Sequence, residues 1–230
     1  KAKPGSTQQK IGDFYAAAMD EAGIEKAGFD PLKPDLAEID ALKDSAGLVA
    51  LINRWHANGL SVLFGFGKEA DLKNSAMNIA YATQGGLGMP DRDYYTKDDP
   101  DSKTLRDKYV AHVERMLTML GTDATQAKRD ADAIMALETR LAKASLTQLE
   151  LRDPNKSYNL VALDVANKAM PHYDWNALVA AIGRKDIATF SFSHPAFFAE
   201  MDKALADTPI ATWQAYLRWH LIDTAAPYLS

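Results

Sequence analysis

Apolar side chains recur every three or four residues along most of the chain, the spacing that places them on one face of an α-helix. The first helix is predicted to begin near Ser6 and to end near Gly23. Its apolar positions, which we expect to be buried together, are Ile11, Phe14, Tyr15, Ala18, Met19 and Ala22. A further helix is predicted to begin with Ser45 as its N-terminal cap.

The spacing changes to alternate positions between Leu60 and Phe66, and again between Met77 and Tyr81. A period of two indicates strands with one buried face, and the polar residues 68–74 between the two runs are typical of a turn. This predicts a β-hairpin over about residues 60–82, the one strand pair that the pattern reveals. Because an isolated hairpin is only marginally stable, we expect it to join a sheet or to pack on helices.

From Pro100 onward the helical spacing returns, with Asp99 as the cap of a first long helix. Gly121 is predicted to end that helix and Thr122 to begin the next, and so short a link should make the two helices pack antiparallel. The shorter helices predicted after them span residues 160–169 and 175–182, a stretch from residue 195, and residues 209–228. The predicted fold class is therefore mainly α: a multi-helix lobe with one β-hairpin.

The composition narrows the range of possible partners. The 230-residue chain has a formal net charge of −5, and its Lys and Arg residues are scattered. Nucleic acid is not expected as a partner, because binding it requires a basic patch. No apolar run approaches the ~20 residues that span a bilayer, so no transmembrane segment is expected. The start at Lys1 has neither an initiator Met nor an apolar signal core, so we expect a processed chain or a fragment.

The side chains form no recognisable catalytic or metal-binding motif. None of the five histidines has a second histidine four residues away with a Glu between them, as helical zinc sites require. Two common nucleophile motifs are also missing, since the chain has no G-x-S-x-G turn and no cysteine. The run Gly85 to Gly88 lacks the Lys-Ser/Thr that follows a phosphate-binding loop, so a tight turn is the better interpretation. We predict no catalytic, cofactor-binding or metal-binding residue in this chain.

One segment between the hairpin and the first long helix is rich in turn-forming residues. It contains three glycines, a proline and two aspartates that flank an arginine. Glycines allow the backbone to approach other groups closely, and an arginine can bridge several carbonyl or carboxylate oxygens. We predict a structural corner pinned by its arginine, with residues Gln84, Gly86, Gly88, Pro90, Arg92, Asp93 and Tyr94. The alternative is that the segment forms a wall of a substrate cavity.

The same segment resembles part of a family of zinc metallopeptidases. The run from Gln84 to Tyr95 reads Q-G-G-L-G-M-P-D-R-D-Y-Y. It is similar to the phrase Q-x-G-L-G-L-P-x-R-D-Y-Y of the neprilysin and endothelin-converting-enzyme family, which includes bacterial PepO-like enzymes. Met89 stands where Leu is usual. Weaker similarities follow the family's order across nearly the whole chain, at residues 11–24, 64–78, 151–159, 171–175, 195–205 and 213–229.

The resemblance implies a role within a larger protein. In this family zinc is bound by His-Glu-x-x-His and by a Glu in Glu-x-x-x-Asp, both in a C-terminal catalytic part, and neither motif occurs here. The chain therefore resembles the non-catalytic N-terminal lobe, a fragment of a larger two-lobed α+β enzyme. Such a lobe caps the active-site cavity and restricts it to short peptides. The implied partners are the C-terminal catalytic part with its zinc and short peptide substrates, and the implied location is secreted, periplasmic or membrane-attached.

Within this lobe we expect three segments: N-terminal helices over residues 1–59, the hairpin and corner over residues 60–95, and a helical lobe over residues 96–230. The alternative function is a stand-alone helical module that binds peptide or protein without catalysis. The two hypotheses differ in what they expose. A lobe seen without its catalytic part leaves apolar side chains uncovered, whereas a stand-alone module should be a stable monomer.

Overall fold

A computed structural model describes residues 2–229, and the chain is mainly helical, as the apolar spacing predicts. The helices are α1 (Thr7–Ala18), α2 (Glu21–Ala27), α3 (Lys33–Asp40), α4 (Ser45–Ala57), α5 (Asp93–Thr96), α6 (Pro100–Met119), α7 (Ala124–Ala144), α8 (Gln148–Leu151), α9 (Pro154–Ser157), α10 (Leu163–Ala169), α11 (Trp175–Ala181), α12 (Pro195–Asp207) and α13 (Ile210–Ala225). Short 3₁₀ turns lie at Asp30–Leu32 and Ala226–Tyr228. The predicted fold class is confirmed.

The predicted hairpin forms over residues 64–84, with its turn at residues 72–73 rather than over 68–74, and it is the larger half of a four-stranded sheet. The strands are β1 (Phe64–Asp71), β2 (Asn74–Gln84), β3 (Leu160–Ala162) and β4 (Thr189–Phe192), in the order β1-β2-β4-β3. β1 and β2 are antiparallel, β2 and β4 are parallel, and β3 and β4 are antiparallel. The hairpin thus joins a sheet, as expected for so marginal a unit.

The two short strands were not predicted. Residues 160–162, which we expected to begin a helix, form β3, and α10 starts only at Leu163. A strand of three or four residues is too short to show an alternating pattern, and its pairing comes from neighbours distant in the sequence. Both strands are therefore set by tertiary contacts.

Aspartate side chains determine where several helices begin. Asp99 caps α6, as predicted. Asp44 rather than Ser45 caps α4, and Asp123 rather than Thr122 caps α7. In both corrected cases the carboxylate next to the predicted cap accepts N–H groups of the first turn, where negative charge also interacts favourably with the helix dipole.

The first helix forms where predicted, but its apolar face is not buried. Ser6 caps α1, and none of the helix residues is buried. Phe14 is 79% exposed and Tyr15 is 65% exposed. Gly23 does not end this helix, because α1 stops earlier and Gly23 lies inside α2, which Asp20 caps. The predicted burial is wrong for the part of the chain that the structure describes, since no element there covers this side of α1.

One hydrophobic core connects the hairpin to the helices. The ring of Trp175 lies in its centre, with the centroids of Phe64, Phe190 and Phe198 at 5.5, 5.1 and 5.6 Å. Tilted and edge-on aromatic pairs of this kind add to the free energy gained by burial. The core includes residues from all three predicted segments, 1–59, 60–95 and 96–230. The boundaries between these segments stay a prediction.

None of the helices between residues 2 and 229 is both long enough and apolar enough to cross a lipid bilayer.

Candidate functional site

The corner, defined as residues 84–95, leads from β2 into α5. Gln84 anchors its beginning. The side-chain amide of Gln84 exchanges two hydrogen bonds with the main chain of Leu146, at 2.8 and 3.0 Å. The main-chain N–H of Gln84 donates to Nδ1 of His194 at 2.9 Å. These bonds fix the end of the hairpin against the residues that precede α8 and α12.

Two glycines let the corner backbone approach neighbouring side chains. Gly86 has a φ of +73°, and its carbonyl accepts the hydroxyl hydrogen of Tyr216 at 2.9 Å. A Cβ atom at Gly88 would lie 2.0 Å from the hydroxyl oxygen of Tyr109 and 2.9 Å from Nε1 of Trp219. Any side chain at Gly88 would therefore displace both aromatic groups, which explains why glycine stands there.

An arginine does pin the corner, but it is not the predicted one. Nη1 of Arg106 on α6 donates to the carbonyl of Tyr94 at 2.9 Å and to the carbonyl of Lys97 at 2.8 Å. We expected Arg92 in this role, yet its Nε is buried without a hydrogen-bond partner among residues 2–229. The short helix α5 places the carbonyls toward α6, so an arginine on the packed helix reaches them more directly.

The other predicted corner residues lie on its outer side. Pro90 is exposed. Asp93 begins α5, and its N–H donates to Oδ1 of Asp91 at 2.8 Å. Its carboxylate forms an ion pair with Lys97 at 3.1 Å. The predicted residues are thus contiguous in space, and their contacts are those of a turn and a helix start.

Beneath the corner lies a buried carboxylate, Glu138 of α7, which is 0% exposed. Its Oε2 accepts the hydroxyl hydrogens of Tyr95 and Tyr109, each at 2.7 Å. Its Oε1 lies 2.9 Å from Nε2 of His220. Tyr109 in turn accepts the N–H of Trp219 at 2.8 Å. We call these five residues the Glu138 network.

The network is joined to the corner through the hydroxyl of Tyr95, which accepts the main-chain N–H of Met89 at 2.8 Å. Burial, and then the charge of Glu138, raise the pKa of the hydroxyls of Tyr95 and Tyr109. Both hydroxyls therefore stay protonated and remain donors. A buried carboxylate is stable only when its oxygens are paired in this way. The arrangement holds α6, α7 and α13 under the corner at fixed distances.

Sequence reasoning missed the Glu138 network although a signal was present. Glu138 lies four residues after Ile134 and four before Ala142, so it falls on the apolar stripe of α7. A carboxylate on a buried stripe requires donors from other elements. Tyr109 and His220 lie on the inner stripes of α6 and α13, and they supply two of these donors.

The five histidines serve as hydrogen-bonding residues. Their partners are Val62 for His56, Arg115 for His112, Asp202 for His172, Gln84 for His194 and Glu138 for His220. Within residues 2–229, no group of three or more His, Cys, Asp or Glu side chains is arranged to hold a metal ion.

The whole chain matches a known family. A family model described as peptidase family M13 matches residues 1–230. This chain belongs to peptidase family M13. The resemblance of the corner and its flanking segments to the N-terminal region of neprilysin-type peptidases is thereby confirmed. Mouse endothelin-converting enzyme-like 1 is a curated M13 relative, 26% identical over 246 residues, with 98% of this chain and 31% of the relative covered.

Solved M13 structures show the same fold. The zinc metalloprotease Zmp1 of Mycobacterium tuberculosis, in complex with an inhibitor, is 31% identical and superposes with a TM-score of 0.93 over all of this chain. PepO of Lactobacillus rhamnosis, at 18% identity, has the same fold with a TM-score of 0.73 over 94% of the chain. This chain covers 35% of the Zmp1 chain and 34% of the PepO chain. It thus corresponds to about a third of these M13 relatives.

Proposed function

We propose that this chain is the non-catalytic N-terminal lobe of a zinc metalloendopeptidase. In this role it caps the active-site cavity and restricts access to short peptides. The observation that carries the proposal is the match of residues 1–230 to peptidase family M13, in a chain that covers only about a third of its relatives. In this proposal peptide hydrolysis belongs to the C-terminal part, and this chain encloses the active-site cavity.

The absence of a metal-binding group among the described residues supports this division. Zinc in such an enzyme needs three protein ligands and an open position for water. Two His-carboxylate pairs lie close together, His172 with Asp202 and His220 with Glu138, each with 2.9 Å between nitrogen and oxygen, but no third ligand joins either pair in residues 2–229. These residues do not fit a zinc ion, so no catalytic step is assigned to them.

The exposed face of α1 supports packing against another part of a longer protein. Ile11, Phe14, Tyr15 and Met19 lie on one side of this helix and are between 58% and 79% exposed. An apolar patch of this kind marks a surface that is covered in the functional protein. The stand-alone module of the second hypothesis should not leave it open, so we prefer the lobe.

The rigidity of the corner supports the capping role. A cap must keep its shape, and Glu138 holds the corner through the hydroxyl of Tyr95, which donates to Oε2 and accepts the main-chain N–H of Met89. In this proposal the corner is a fixed part of the cap. The alternative interpretation, that the corner itself lines the substrate cavity, stays a prediction.

A location outside the cytoplasm, whether secreted, periplasmic or membrane-attached, belongs to the same proposal and is supported by the neprilysin-type resemblance. Fractionation of cells that express the whole gene would test this location. Retention of the full product in the cytoplasm would contradict it.

The proposal is tested by cleavage of a short quenched-fluorescent peptide in the presence of zinc. The chain alone should be inactive, and the chain mixed with the segment encoded downstream in its gene should show cleavage that a chelator abolishes. The reconstituted protein should cleave the short peptide but not an unfolded protein of many times its length. Activity of the purified chain alone would overturn the proposal, and equal cleavage of both substrates would overturn the size restriction.

A further inference from the structure

The four-stranded sheet opens into a cleft between β2 and β4. The two strands pair only where Tyr81 and Ala82 meet Ser191 and Phe192. The carbonyl of Ala82 accepts an N–H on the β4 side, from Ser193 at 3.0 Å. Main-chain groups of a strand alternate in direction, so Asn78 turns its N–H and C=O to this same side, before the point where pairing begins. The first part of β2 thus has a strand edge that β4 does not occupy.

A cleft of about 540 Å³ lies along this edge. It is bounded on one side by the hairpin and on the other by the connection from α11 to β4. Its apolar lining includes Phe66, Ile79, Ile182 and Ile187, and Ala188 lies at its side. This volume is within the range of about 300–1,000 Å³ that is typical of ligand sites. We call this space the hairpin cleft.

The hairpin cleft carries one uncompensated positive charge. Lys68 lines it, is exposed, and forms no ion pair among residues 2–229. Arg184 is neutralised by Asp186, with two hydrogen bonds of 2.8 Å. Burial lowers the pKa of His56, whose Nε2 donates to the carbonyl of Val62 at 3.1 Å, so this ring is neutral near pH 7.

We propose that the hairpin cleft binds an extended peptide segment that carries an apolar residue and, two positions away, an acidic one, because Phe66 and Lys68 lie two positions apart on the same face of β1. The peptide main chain adds to the free edge of β2, its apolar side chain enters the space between Phe66 and Ile187, and its carboxylate pairs with Lys68. Strand addition of this kind takes its affinity from main-chain hydrogen bonds and its specificity from side-chain pockets. This binding requires neither zinc nor hydrolysis, and it goes beyond the proposed role as a cap.

An extended peptide explains the features of the cleft better than a small apolar acid. The lining side chains and Lys68 could hold either ligand. The main-chain donor and acceptor of Asn78, which lie beyond the residues that pair with β4, however, repeat the pattern that β1 and β4 use to bind β2, and only another extended chain presents the complementary groups.

The test is a fluorescence-anisotropy titration of the 230-residue chain. The probe is a fluorescein-labelled Thr-Val-Thr-Glu-Thr peptide, blocked at both ends, whose Val and Glu share one face of the extended chain, and we expect saturable binding. Ala188→Trp should abolish binding, because the indole fills the cleft from an exposed position. Lys68→Glu should weaken binding about threefold to tenfold, since an attraction becomes a repulsion of similar size. Lys43→Glu makes the same charge change at an exposed position outside the cleft and should leave binding unchanged.

Two controls separate the proposed contacts from other causes. Circular dichroism checks that each variant is folded. A probe with Lys in place of Glu tests the ion pair with Lys68 and should bind the unchanged protein more weakly. Absence of saturable binding, or equal binding of the two probes, would overturn the proposal. Unaltered affinity of folded Ala188→Trp would do so as well. Loss of binding in the longer protein would show that another segment fills the cleft, and this too would overturn it.

Discussion

The helices α1 and α7 can be compared directly, because both carry apolar stripes of the same helical spacing, and α7 lies beneath the corner. On α1 the stripe is exposed, with Phe14 at 79%. On α7 the corresponding positions Ile134 and Leu141 are fully buried. The difference lies in what the rest of the chain supplies. α6, α12 and α13 cover α7, whereas no described element covers the apolar side of α1.

Polar groups show the same contrast. The charge of Glu138 is paired within this chain by donors from α5, α6 and α13. The hydrogen bonds of Glu138 are therefore all made within this chain, whereas the apolar side of α1 is not covered by residues 2–229. The comparison indicates that the interior of this lobe is packed within the chain, whereas the apolar side of its first helix is not covered by residues 2–229.

The largest expected effect on the free energy of unfolding comes from removing the buried carboxylate of Glu138. Glu138→Ala should lower the free energy of unfolding by about 4 kcal/mol, because it leaves the donors of two tyrosines and His220 buried and unpaired. Urea unfolding followed by circular dichroism measures this. Asp132→Ala, at an exposed position of the same helix, is the control and should change stability by less than about 0.5 kcal/mol. A loss of stability below about 1 kcal/mol for Glu138→Ala would contradict the claim that this carboxylate stabilises the packed interior.

A second effect should appear on lowering the pH, through the histidine that anchors the corner. Burial lowers the pKa of His194 from 6.5 to about 4. The unfolded chain therefore takes up the proton first, so the contribution of His194 to stability is constant above about pH 6.5 and falls as the pH drops toward 4. The loss should reach at most about 3 kcal/mol. His194→Asn keeps an acceptor for the N–H of Gln84 but cannot titrate, so it should flatten the pH dependence in this window. An identical slope in both proteins would contradict this assignment.

Two matched glycine substitutions sharpen the comparison. Gly88→Ala should cost about 2 kcal/mol, because its Cβ would lie 2.0 Å from the hydroxyl oxygen of Tyr109. Gly12→Ala in α1 meets no atom within 4 Å and should instead stabilise by roughly 0.5–1 kcal/mol through helix propensity. Thermal and urea unfolding would report both signs. The same sign for the two variants would mean that the corner is not closely packed.

The smallest expected effect is on the exposed face of α1. Phe14→Ser should change the free energy of unfolding of this chain by less than about 0.5 kcal/mol, because the ring is exposed. It should also reduce binding of a hydrophobic dye, which unchanged chain should bind at this face. A large loss of stability would show that α1 is packed within the chain in solution.

The sequence predicted the long elements well and the short or partner-dependent features poorly. The spacing of Val113 and Leu117 and the cap Asp99 define α6, since these signals are local. β3 and β4 escaped prediction because strands of three and four residues are held by neighbours rather than by their own pattern.

The structural corner predicted from the glycines stays a prediction, and the sequence did not indicate which side chains hold residues 84–95 in place. Arg106, rather than Arg92, holds the carbonyls of Tyr94 and Lys97, and this depends on how α5 and α6 cross. The burial of α1 was predicted from an amphipathic pattern, which shows that a face will be covered but not by which segment. Spacing therefore predicted the elements, whereas long-range contacts decided which residues form the site.

The most direct test is hydrogen exchange of α1 and of the corner, measured in this chain and in the longer protein encoded by its gene. The account predicts rapid exchange of residues 7–18 in the chain alone and strong protection in the longer protein, where the C-terminal part covers Phe14 and its neighbours. Residues 84–95 should be equally protected in both. Unprotected α1 amides in the longer protein would contradict the claim that this chain is a lobe completed by a catalytic part.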